Sequence, residues 1–132
     1  MRVRIRFVLL LCLLACGGCG KKSTAQLIED LKSPQERDRI IAARLLPQRK
    51  GEAAQVVPAL IEALKDKEGD IRWSAAIGLG SFGEQARDAI PALEAAQRDR
   101  DARVREAAGV ALSRIDSTRF PRASKPGPAR GK

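Results

Sequence analysis

Residues 57–80, VPALIEALKDKEGDIRWSAAIGLG, decide the fold once they are laid over residues 90–113, IPALEAAQRDRDARVREAAGVALS. The shift is 33 residues and needs no gap. Pro58/Pro91, Ala59/Ala92, Leu60/Leu93, Ala63/Ala96, Asp66/Asp99, Arg72/Arg105, Ala75/Ala108 and Leu79/Leu112 are identical. Apolar character is kept at Val57/Ile90, Ile71/Val104 and Ile77/Val110. The same shift towards the N-terminus matches Leu27, Ile28, Glu29, Leu31 and Lys32 to Leu60, Ile61, Glu62, Leu64 and Lys65. It also matches Arg39, Ala42, Ala43 and Leu46 to Arg72, Ala75, Ala76 and Leu79. A fixed period in this range marks a stacked-repeat architecture. Three units fit, at about 23–54, 55–87 and 88–116.

Each unit reads as two helices, and no strand alternation is present. In unit 1, Ser23 with Gln26 caps a first helix to about Lys32. Ser33-Pro34-Gln35-Glu36 has the form of a capping box opening a second helix that Pro47 ends. In unit 2 the first helix begins between Glu52 and Pro58 and runs to about Lys65, and the second spans about Asp70 to Leu79. Unit 3 repeats this from about Glu84 to Arg98 and from Asp101 to about Ile115. At 100° per residue, Ile71, Ser74, Ala75, Gly78 and Leu79 share one side of the second helix, as do Val104, Ala107, Ala108, Ala111 and Leu112. One pair buries only part of such a face, so neighbours must stack to close the core. The expected fold is all-α, a short α-solenoid of about three helix pairs. Glu94 and Gln97, in place of Ile61 and Leu64, make the last first-helix more polar, as a terminal cap requires.

Residues 57–80 are similar to the HEAT repeat in the short form first noted in phycobilisome bilin lyases, V-P-A-L-x-x-A-L-x-D-x-x-x-x-V-R-x-x-A-A-x-A-L-G. Unit 2 departs from it at Ile71 and Gly78. Unit 1 departs more, with Ala25 for proline, Ser33 for aspartate and Asp38 for the branched residue. The resemblance implies a structural ladder in which Asp66 and Asp99 bond to adjacent helices alongside Arg72 and Arg105, with Arg39 behind them. It also implies a concave surface lined by the second helices. Opposite the buried stripe there lie Trp73, Ala76, Ile77 and Gly80, with Ile40, Ala43 and Arg44 in unit 1 and Glu106, Gly109 and Val110 in unit 3. Trp73, the only tryptophan, flanked by small residues, suits a peptide or helix lying in a groove. The partner-binding residues expected are Trp73, Ile77, Ile40, Arg44, Glu106 and Val110. A tryptophan packing on a neighbouring repeat is the plainer alternative. Fold alone names no function.

The N-terminus reads as an address. Met1 to Arg6 holds three arginines and no acid, and Phe7 to Ala15 is an unbroken apolar run, about 13–14 Å of helix and too short for a bilayer core of about 30 Å. Leu13-Leu14-Ala15-Cys16 resembles the bacterial lipobox, which implies lipid on Cys16 and residues 1–15 removed. Plain cleavage near Gly17–Gly20, or an uncleaved apolar tail, are the alternatives. Gly17 rather than aspartate after that cysteine implies the outer membrane by the same resemblance. Cys16 and Cys19 stand in C-x-x-C spacing, but no strand precedes them as a redox motif needs. With no histidine and three cysteines, all at or before position 19, a four-ligand zinc site is not encoded. Gly20-Lys21-Lys22-Ser23 lacks the first glycine and the final pairing of a phosphate loop. Gly78-Leu79-Gly80-Ser81-Phe82-Gly83 spells G-x-G-x-x-G, yet here it closes a helix instead of opening one.

The formal charge of +9 is unevenly placed. Three arginines belong to the signal, Lys21 and Lys22 to a short linker at 16–22, and five basic residues to the tail at 117–132. Between Ser23 and Asp116, 15 basic residues face 16 acidic ones, which does not encode a groove tracking phosphates. The tail, rich in Pro, Gly and Ser, reads as disordered, with at most weak attraction to an anionic surface. The chain lacks His, Tyr and Asn, and the body lacks Cys, so Ser/His and Cys/His pairs are unavailable. The expectation is a monomeric, non-enzymatic, lipid-anchored interaction scaffold at a bacterial envelope. No cofactor, metal, nucleic acid or small-molecule substrate is expected, and its partner is an unidentified protein. A structural subunit docking through the convex face or tail is the alternative, and a lyase or hydrolase the remote one.

Overall fold

The computed structural model describes residues 20–122. The expected signal at 1–15, the expected lipid site Cys16 and residues 123–132 of the expected tail lie outside them. Among the described residues six α-helices run in pairs: α1 (Thr24–Asp30) with α2 (Glu36–Leu45), α3 (Ala53–Ala63) with α4 (Gly69–Phe82), and α5 (Ile90–Ala96) with α6 (Ala102–Ile115). The described residues contain no strand, and the fold is a short α-solenoid. The second helices stack in order, α2 on α4 and α4 on α6, while α3 backs α4 and α5 backs α6.

Local signals explain several helix ends. The Ser23 hydroxyl accepts from the Gln26 N–H at 3.2 Å, and the Gln26 side chain accepts from the Ser23 N–H at 2.9 Å, a complete capping box. The second box expected in unit 1 does not form. Ser33 Oγ instead accepts from the Gln35 N–H and donates to Asp38, so α2 starts at Glu36, two residues beyond Pro34. Asp101 caps α6 by accepting from the Arg103 N–H at 2.9 Å. The Gly78–Gly83 stretch also needs correction, because Gly78 and Gly80 lie inside α4 and only Gly83, at φ +56°, stops it. A 3₁₀ segment, Gly83–Ala89, then replaces the first turns expected of unit 3's outer helix.

Glycines inside α4 are there for close approach. A Cβ on Gly78 would stand 2.6 Å from Pro47 Cγ, and one on Gly80 would stand 2.9 Å from Ala111 Cα. Pro47 and Gly80 are equivalent positions, as are Gly78 and Ala111. Each unit therefore meets the next through the same pair of places, and side-chain size on one is offset by its absence on the other. Leucines at one repeat position, Leu27, Leu60 and Leu93, are fully buried, as are Leu46, Leu79 and Leu112 at another.

The boundary at Asp116 is corrected as well. Asp116 Oδ1 accepts from the Thr118 hydroxyl at 2.6 Å and from the Thr118 and Arg119 N–H groups. This aspartate-centred turn brings Phe120 against the core and Arg119 onto Glu94 at 3.0 Å. The first residues of the expected disordered tail are thus folded back on unit 3.

Candidate functional site

The most regular feature of the stack is its ladder. Arg39 Nε donates to Asp66 at 2.8 Å, and Arg72 Nε to Asp99 at 2.8 Å, each arginine reaching from its own unit to the aspartate of the next. The same arginines point Nη1 back onto two carbonyls of their own inter-helix turn, Ser33 and Pro34 for Arg39, Asp66 and Lys67 for Arg72. The aspartates in turn accept from a backbone N–H two residues on, Glu68 for Asp66 and Asp101 for Asp99. Arg39 and Arg72 are 6% and 5% exposed, so the guanidinium charges are satisfied inside the structure, away from a ligand. Arg72 is held more firmly protonated by Asp99, whose own carboxyl lies below its ordinary range because of that bond. Arg105 shares only part of this arrangement: it holds the Asp99 and Arg100 carbonyls, but is itself exposed.

On α4 the exposed residues are Trp73, Ile77 and Ser81, one line at four-residue spacing, because α2, α3 and α6 cover the remainder. Trp73 is 36% and Ile77 38% exposed. Facing them from α6 are Arg103, Glu106, Ala107 and Val110, and the two sets line a shallow depression of about 350 Å³. Arg103 fixes its polar rim, with Nη2 at 2.9 Å from both Asp70 and Asp101. The arrangement offers an aromatic and an aliphatic surface beside a charged edge, which suits a protein segment.

Four of the six expected binding residues, Trp73, Ile77, Glu106 and Val110, come together here. Ile40 and Arg44 do not. They line a separate depression of about 510 Å³ with Glu36, Arg37 and Ile41. Ala76, Gly80 and Ala43, also placed opposite the buried stripe, are buried. A helix in a stack is covered on three sides, so standing opposite one packed face does not ensure solvent. Sequence reasoning missed Arg103 at the groove rim and the exposed Ile41 and Leu45. The last two could have been found: they occupy the repeat positions of Ser74 and Gly78, which are buried in unit 2, and no unit precedes unit 1 among the described residues.

These features define an α-solenoid of helix-pair repeats held in register by an arginine–aspartate ladder. HEAT repeats match residues 24–120, and the chain belongs to the HEAT-repeat family. It is similar to a chain of the complex of CpcE and CpcF of phycocyanin lyase from Nostoc sp. PCC7120, at 30% identity and a TM-score of 0.66. The match covers 76% of this chain and 40% of that one, so the present chain spans about two fifths of its length. No curated protein matches. The similarity to part of a lyase complex overturns the expectation that the chain is not an enzyme. That expectation rested on the lack of His and of body cysteines. Such a lack excludes Ser/His and Cys/His pairs on this chain alone and leaves room for a part in a reaction carried out by an assembly.

Proposed function

We propose that the chain is a protein-docking module whose α4–α6 groove holds a segment of a partner protein, with the module tethered to a bacterial envelope through lipid on Cys16. The observation that carries the docking reading is the line Trp73–Ile77, the one apolar stretch of α4 left open, set against Val110 of α6. The tether rests on the sequence Leu13-Leu14-Ala15-Cys16. A pull-down from membrane extract tests the groove. Trp73→Ala is expected to lose the partner while keeping the helical circular-dichroism signal, and capture equal to wild type rejects the groove. Trp73 is also the sole tryptophan, so its emission reports occupancy directly. Metabolic labelling with a fatty-acid analogue, read against Cys16→Ser, tests the tether.

A second reading is supported by the similarity to a CpcE–CpcF complex. Here the module is one subunit of a two-protein lyase assembly and supplies a docking surface to it. Under this reading, loss of the partner in Trp73→Ala and loss of the complex's activity occur together. Docking through the tail instead predicts that removing residues 123–132 matters more than changing Trp73.

A further inference from the structure

We infer that the C-terminal end of the stack is a binding site for an acidic protein segment, with Arg105 as an open rung that takes its carboxylate. Three equivalent arginines in this chain, Arg39, Arg72 and Arg105, are aimed by the same lock, Nη1 on two carbonyls of the preceding turn. For Arg105 those bonds are 2.8 Å to Asp99 and 3.2 Å to Arg100. In the first two, the guanidinium edge then meets an aspartate 27 residues on, at 2.8 Å. Arg105 meets no carboxylate among the described residues, and the position that the 33-residue repeat assigns to the next aspartate is Lys132. The two filled rungs show what this arginine binds when a ligand is present: a carboxylate gripped along one edge.

The surroundings fit that chemistry. A cleft of about 990 Å³ lies between α6 and the folded-back segment 119–122, lined by Arg105, Val110, Arg119, Phe120 and Arg122, with Glu106 its one acid. Arg119 is engaged by Glu94, and Arg122 reaches Ser113 Oγ at 3.4 Å, so among the described residues Arg105 and Arg122 carry positive charge with no carboxylate against them. Val110 and Phe120 supply an apolar floor. Another helix pair of the same kind does not fit. Ser113 holds the repeat position at which Pro47 and Gly80 make the close inter-unit contact, and Arg122 of the folded-back segment already reaches it at 3.4 Å. A second copy offers Ser33, not aspartate, at the ladder position. The occupant is therefore a peptide segment of a different protein that pairs aspartate or glutamate with apolar side chains. This site goes beyond the Trp73 groove, although Glu106 and Val110 border both.

The test uses the full chain and a fluorescein-labelled, end-blocked peptide, Ala-Leu-Asp-Asp-Leu-Ala, read by anisotropy. Its Asn-Asn counterpart and the Arg105→Gln variant are each expected to weaken binding about ten-fold. Arg105→Lys is expected to recover only part of it, because lysine lacks the fork, and Trp73→Ala is expected to leave it unchanged. Circular dichroism of each variant should match wild type, since Arg105 is exposed. Equal binding by wild type and Arg105→Gln, or full retention by Arg105→Lys, overturns the open rung. So does absence of binding at millimolar peptide. Arg105-dependent binding of phosphatidylglycerol vesicles without peptide binding assigns the cleft to a membrane instead. Arg105-dependent self-association in sedimentation without peptide binding assigns it to a second copy. Either overturns the proposal.

Discussion

Arg72 and Asp99 are joined by two parallel bonds, Nε to Oδ2 at 2.8 Å and Nη2 to Oδ1 at 2.9 Å, across the boundary between the second and third units. The pair is nearly buried, with side chains 7% and 12% exposed. Its value is therefore asymmetric: whatever the pair gains over apolar packing, removing one partner leaves a buried charge alone. Asp99→Asn is expected to destabilise the fold by about 3 kcal/mol in urea denaturation. Arg105→Gln, exposed and without a carboxylate, is expected to stay within about 0.5–1 kcal/mol of wild type. Equal losses from both would mean that the carbonyl lock, not the ion pair, holds the units in register.

The same pair sets a pH dependence. The Asp99 carboxyl lies below its ordinary value of 3.8, first because of the hydrogen bond from Arg72, while its burial opposes the shift. Falling pH therefore protonates the unfolded chain before the folded one, and stability rises with pH through that window. The contribution is full above the ordinary value and is lost as Asp99 itself takes a proton in the fold. Wild type should lose stability between about pH 5 and pH 2 more steeply than Asp99→Asn. Parallel urea midpoints across that range would remove Asp99 as the cause.

The recurrence of arginine and aspartate at fixed places was legible in the sequence, but that they form a ladder was implied only by the resemblance to the HEAT repeat. Its direction, each arginine forward to the next unit's aspartate, depends on how the helices are offset, which composition does not encode. The groove was half legible. Trp73 and Ile77 share a face by arithmetic, but which residues α2 and α6 would cover depends on side-chain size at Pro47, Gly80 and Ala111. Ile40 and Arg44 fell into a separate depression for a related reason: equivalent positions in different units share a groove only where two units flank them. The turn at Asp116 was hidden by composition. A tail rich in Pro, Gly and Ser reads as disordered, yet Asp116-Ser117-Thr118 carries a local turn signal that outweighs it.

Ser74 offers a stabilising change. Its hydroxyl is buried and has no hydrogen-bond partner, although Ser81 and Ser113 both return theirs to a carbonyl three residues back. Unit 3 places Ala107 at the same position. Ser74→Ala removes an unsatisfied group and improves helix propensity, so a gain of about 1 kcal/mol is expected by thermal or urea unfolding. A loss would show that an ordered water serves the hydroxyl.

Gly80 is the sharper test of how the units meet. Alanine is favoured over glycine inside a helix by about 1 kcal/mol, so Gly80→Ala would stabilise α4 if nothing stood nearby. Here the added carbon would lie 2.9 Å from Ala111 Cα and 3.0 Å from its Cβ. The nearer obstacle is backbone and cannot rotate away, so α4 and α6 must separate along their contact. The expected net result is a loss of about 1–2 kcal/mol. Gly51, with nothing within 4 Å of its would-be Cβ, is the control, and Gly51→Ala is expected to be neutral or stabilising by about 0.5 kcal/mol. Reversal of that order, with Gly80→Ala the more stable, would mean that the second helices have slack between them. The rungs and outer helices alone would then be holding the stack.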